Sequence, residues 1–191
     1  SVLLSPIITR LYDTEAFGAL GVFLSVLSIL VPISNLSYTY AIIMPKKDSD
    51  GVKILRFSNL FGFFISLVVL VVVALFQAPI ARLLQIEAYG VYLYWLPLTL
   101  FFSTAAIAYD QWMVRKKQFK ANSLILIAQS LFSNGSLIWL GYYATGYASM
   151  IAVNILARGF HAVAAFFAAR RTFPKAELQQ NVVASTVGEP T

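Results

Sequence analysis

The chain has 191 residues, 59% of them hydrophobic and 12% charged, with a net charge of +6 and a mean hydropathy of +0.76. A soluble domain is about one quarter charged and under half apolar, so the composition excludes a water-soluble globule and points to a membrane protein. Zero cysteines and a single histidine, His161, exclude disulfides and thiolate metal sites and leave little to ligate a catalytic metal, so no cofactor is expected.

In chain order, the first apolar stretch, "SVLLSPII", is far shorter than the roughly 20 residues a spanning helix needs and reads as the tail of a truncated span. Five long apolar windows follow, at Phe17 to Met44, Phe57 to Ala78, Val91 to Met113, Ser123 to Tyr143 and Tyr147 to Ala169. Each can cross about 30 Å of hydrocarbon as a helix. A membrane barrel would instead read as alternating segments of roughly ten residues, and these windows are continuous. The expected fold is therefore all-α, a polytopic bundle of about six transmembrane helices over residues 1–175. The polar, small-residue stretch 176–191, "AELQQNVVASTVGEPT", is expected to be a cytoplasmic tail or linker.

The connectors are of two kinds. "PKKDSDGVKILR", "RKKQFK" and "RRTFPK" are rich in Lys and Arg, whereas "TRLYDTEAFG", "IARLLQIEAYG" and "YYATGY" hold only Arg10 and Arg82. The positive-inside rule puts the first set in the cytoplasm, and the assignment is consistent at every connector. The basic residues are thus topology signals and neighbours of lipid headgroups, with no single patch suited to nucleic acid. Trp95, Trp112, Tyr89, Tyr92, Tyr142, Tyr143 and Tyr147 fall near the ends of windows and are expected to act as headgroup-level anchors.

Polar residues inside the windows fall into stripes at helical spacing. In the last window Asn154, Arg158 and His161 stand at i, i+4 and i+7. Ser25, Ser28, Pro32 and Asn35, with Thr39 a turn further on, form another stripe, with a kink expected at Pro32. Thr99, Ser103, Ala106 and Asp110 align in the fourth span, and Gln129, Ser130, Ser133, Asn134 and Ser136 cover a broader face in the fifth. Ser, Thr and Asn in such stripes are ordinarily packing glue. Arg158 differs in magnitude, because an arginine at a helix centre costs about 2.5 to 3.5 kcal/mol on insertion scales while each large apolar residue returns about 0.3 to 0.6.

Two readings stand for Arg158. It pairs with a carboxylate, for which Asp110 is the one other charge well inside a window, or it faces a wet cavity. Asp110 lies close to the basic end and Arg158 near mid-depth, which favours the cavity, with Asn154, His161 and Asn35 as further candidates for its lining. His161 is either a neutral, hydrogen-bonded histidine or a proton-coupling group.

Three pieces, "SPIITRLYDTEAFGALGVFLSVLSIL", "YAIIMPKKD" and "YDQWMVRKKQFKANS", together resemble the N-terminal half of the oligosaccharide flippase family of polysaccharide biosynthesis proteins. That family belongs to the multidrug, oligosaccharidyl-lipid and polysaccharide exporter superfamily. Pro6, Arg10, Tyr12, Gly18, Trp112 and Arg115 are among the matching positions. The resemblance implies two pseudo-symmetric lobes of about six helices rocking around a cationic cavity. They would move an undecaprenyl-linked sugar repeat across the bacterial inner membrane for O-antigen, capsule or exopolysaccharide synthesis. This chain would supply one lobe; its expected partners are the lipid-linked oligosaccharide, membrane lipids, a C-terminal lobe and polysaccharide assembly proteins.

Competing functions are a cation-coupled multidrug exporter of the same superfamily, a membrane-bound glycosyltransferase or polymerase, and a scaffold that assembles the machinery. An exporter needs cavity acids, for which Asp110 is the candidate. An enzyme needs acids near an interface, for which Asp13 with Glu15 and Asp48 with Asp50 are available, but both pairs sit among turn residues and basic neighbours and read as ordinary solvated loops.

Overall fold

A computed structural model describes residues 12, 14–35, 38–45, 47–142 and 146–173. Its long elements are α1 (Thr14–Asn35), α2 (Asp48–Leu83), α3 (Leu96–Arg115), α4 (Phe119–Gly141) and α5 (Tyr147–Arg170). A short turn of helix, Tyr38–Ala41, follows α1, and a 3-10 segment, Glu87–Trp95, leads into α3. Among the described residues there is no strand, and five helices are long and apolar enough to cross a membrane. The all-α expectation is borne out: this is a multi-pass helical membrane protein. The first apolar stretch, with Pro6 and Arg10, lies outside the described residues, as does the stretch 176–191.

The elements follow the apolar windows, and their differences have local causes. Within the window from Phe17 to Met44, α1 is described as far as Asn35, with Pro32 inside it, and one further helical turn covers Tyr38–Ala41. In α2 the non-helical backbone is at Phe76 (φ −121°, ψ 21°), within the turn preceding Pro79. Both α2 and α3 end in a Schellman motif. Ile86 N–H bonds to Ala81 O and Gln85 N–H to Arg82 O in one; Gln118 N–H bonds to Met113 O and Lys117 N–H to Val114 O in the other. Gln85 (φ 57°) and Lys117 (φ 55°) occupy the left-handed position that usually falls to glycine.

Packing is uneven, as a bilayer allows. α3 is the central element, gripped mainly by α5 and α2. At Gly62 a Cβ would stand 2.7 Å from Thr104 Oγ1, so α2 and α3 touch there because the residue has no side chain. α2 turns Phe57, Leu60, Phe64, Leu67, Val71 and Leu75 outward, a lipid-facing stripe at helical spacing. In α4 only Gly141 is buried, and the helix rests chiefly on α5.

The three basic connectors meet at one end of the bundle. Arg115 Nη1 donates to the carbonyls of Ile42 (2.8 Å) and Ile43 (3.3 Å), Nη2 to that of Lys47 (3.0 Å), and Nε and Nη2 both to Asp48 Oδ1 (3.2 Å each). Lys116 pairs with the other oxygen of Asp48. Trp112 Nε1 donates to Thr172 Oγ1 (3.1 Å), and Phe173 packs edge-on against the indole. Two expectations are corrected. Trp112 is fully buried, a core residue at the joint of three segments and not a headgroup anchor, whereas Trp95 and Tyr142 remain exposed. Asp48, although half-exposed, is a fastener for Arg115 and Lys116 and not an unpartnered loop acid.

Candidate functional site

α3 and α5 run in the same direction, separated in sequence by α4, so their polar stripes lie side by side in matching order. The earlier residue of one stripe meets the earlier residue of the other. Arg158 Nη1 donates to Ser103 Oγ at 3.0 Å, and His161 Nε2 stands 3.0 Å from Asp110 Oδ1. Helical side chains lean toward their own N-terminus, which lets Arg158 reach back to Asn154 Oδ1 (Nε donating, 3.1 Å) and to Ser103. The third wall comes from α4, whose Gln129 Oε1 lies 2.6 Å from His161 Nδ1.

These groups surround a cavity of about 220 Å³ lined by Val31, Ser103, Asp110, Gln129, Arg158 and His161, together with the small apolar pair Ala106 and Ile107. Arg158 and His161 line it, as expected from the stripe. Asn154 does not line it but orients the guanidinium. Asn35 is buried on α1 one turn beyond Val31, and the α1 wall of the cavity is formed by Val31.

Asp110 was expected to be peripheral. It is in the cavity, yet its partner is His161, one turn nearer the basic end than Arg158. Among the described residues no carboxylate comes within ion-pairing distance of Arg158. A guanidinium carries five N–H donors. Asn154 and Ser103 use one each, so one N–H on Nη1 and both on Nη2 remain for whatever occupies the cavity.

His161 is thus held on both sides, each ring nitrogen within hydrogen-bond distance of one neighbour, Nε2 facing Asp110 and Nδ1 facing Gln129. Gln129 was read only as one of several polar residues on a broad face. Its spacing gave no means to single it out, because that depends on how α4 is rotated against α5. Ser103 and Asp110 were legible as one stripe, and the parallel course of the fourth and sixth spans was the signal that could have joined them to Arg158 and His161.

Of the family-motif positions, the described ones, Tyr12, Gly18, Trp112 and Arg115, are not in the lining of this cavity. Trp112 and Arg115 lock the basic end, and Tyr12 donates from its hydroxyl to Leu137 O (2.9 Å), tying the start of α1 to α4. Around Gly18 a Cβ would meet nothing within 4 Å, so close packing does not explain that glycine. Among the described residues no group of three His, Cys, Asp or Glu side chains could hold a metal.

Apolar helices around a charged, hydrogen-bonded core define a polytopic membrane protein with an intramembrane polar site. A family model described as "Polysaccharide biosynthesis protein" matches residues 7–188, and the chain belongs to that family, with a role in polysaccharide biosynthesis or transport. No curated protein and no solved structure gives a significant match.

Proposed function

We propose that this chain forms one lobe, residues 1–175, of a carrier that flips undecaprenyl-linked oligosaccharides from the inner to the outer leaflet of the bacterial inner membrane. The observation that carries the reading is Arg158: a cation lining an intramembrane cavity, held by neutral oxygens and free of any described carboxylate. Such a charge attracts the pyrophosphate of the lipid carrier or an anionic sugar, more strongly at low dielectric than in water. The partner lobe would close the cavity from the other side, and the basic connectors and the stretch 176–191 would face the cytoplasm. The carrier makes and breaks no covalent bond.

The test is made in the intact gene of the host. Arg158→Gln at normal expression should lower surface polysaccharide by at least tenfold, and Arg158→Lys should retain part of it, since it keeps the charge but not the planar fork. Parental polysaccharide with Gln would overturn the electrostatic role.

A second reading, the cation-coupled exporter, gains support from Asp110 and His161 facing the same cavity. Deleting the gene discriminates the two: altered drug sensitivity with normal exopolysaccharide favours the exporter, and the reverse favours the flippase.

A further inference from the structure

At the basic end, well away from the Arg158 cavity in sequence and partners, a cavity of about 450 Å³ opens between the connector preceding α2 and the turn joining α3 to α4. Its charged lining is Asp48, Arg115, Lys116 and Lys117, with Ile43 and Phe119 completing the wall. Three cations face one carboxylate. The Arg115 guanidinium is committed to the connector's carbonyls and to Asp48, and Lys116 shares that carboxylate, so both are fixed parts of the wall. Lys117 is exposed and, among the described residues, has no carboxylate partner. It sits in the left-handed position of the α3 Schellman motif, where glycine would be easier for the backbone.

Two further observations say what chemistry fits. The first turn of α4, beginning at Phe119 with no side-chain cap, brings the positive end of a helix dipole to the same lip. The lining also carries outward-facing apolar side chains, Ile43 (44% exposed) and Phe119 (57% exposed). A cationic cup with an apolar rim at the end of a transmembrane bundle matches the boundary between lipid phosphates and acyl chains. A site for a free inorganic anion has no use for that rim.

We propose that this cup docks the phosphate of an anionic membrane-lipid headgroup, with Lys117 as the contacting cation and Ile43 and Phe119 seated among the acyl chains. The site does not depend on the flippase reading. The purified full chain in detergent is titrated with phosphatidylglycerol or phosphatidylcholine, and retained lipid is counted by native mass spectrometry. The wild type should retain phosphatidylglycerol preferentially. Lys117→Asn, which tolerates the left-handed backbone, and Lys117→Gly should both weaken that retention about fivefold. Lys117→Gly should at the same time raise the melting temperature, which separates loss of lipid from loss of fold. Lys53→Gln, an exposed cation on α2 paired with Asp50 and absent from the cup lining, should leave retention unchanged. Undiminished retention by both Lys117 variants would overturn the proposal, and so would an equal loss with Lys53→Gln, which signals diffuse charge. Displacement of phosphatidylglycerol from the wild type by millimolar inorganic phosphate would make it a soluble-anion site and overturn it as well.

Discussion

The guanidinium of Arg158 is oriented by an amide and a hydroxyl, while the nearby carboxylate of Asp110 is engaged by an imidazole. This division keeps the cation of the cavity from being neutralised by its own wall. It also makes Asp110 a structural partner whose loss leaves a buried N–H of His161 unanswered. Asp110→Ala should therefore lower stability by about 1 to 3 kcal/mol. Asp110→Asn, whose Oδ1 still accepts from Nε2, should cost clearly less; thermal unfolding of the two variants in one detergent checks the order, and equal costs would refute it. At this scale the spacing of Asn154, Arg158 and His161 already put the three on one helix face. The identity of the oxygens that hold Arg158 was not legible, because Ser103 is one of many hydroxyls that helix spacing alone treats as glue.

Among the elements, α3 determines where the others sit. Its approach to α2 depends on the missing side chain at Gly62, so Gly62→Val should force the helices apart and cost about 1 to 3 kcal/mol. At the basic end Trp112→Phe keeps most of the packing but loses the bond to Thr172, a cost of about 0.5 to 1.5 kcal/mol. Melting temperatures in detergent check both, and Gly62→Val is expected to shift the more. The windows for these helices could be read directly, because a span in lipid must be both long and continuously apolar. The 3-10 lead into α3 was not legible, because hydropathy does not register a change of backbone geometry. Trp112 was misjudged for a related reason: a tryptophan near a helix end looks alike whether it faces headgroups or a neighbouring connector.

For the molecule as a whole, the meeting of three basic connectors at one end sets up a test of orientation. The 191 residues contain no cysteine, so single introduced thiols report without background. Lys53 lies at the basic end and Tyr142 at the opposite one, both exposed. In intact spheroplasts a membrane-impermeant maleimide should label Tyr142→Cys and spare Lys53→Cys until the membrane is permeabilised. The opposite pattern would invert the assignment. The charge asymmetry between connectors is what raises this expectation, whereas the knot of hydrogen bonds that Arg115 ties between connectors required coordinates.

The parallel pairing of α3 with α5 has a consequence for biosynthesis. As the nascent chain leaves the translocon, α3 enters the bilayer with Ser103 and Asp110 before Asn154, Arg158 and His161 have been made. Helix α5, which carries Arg158 and His161 within its span, then finds a hydrophilic seam already in place. Its insertion is thereby coupled to an earlier segment, and a ribosome that has released α4 still awaits the half of the seam that completes it.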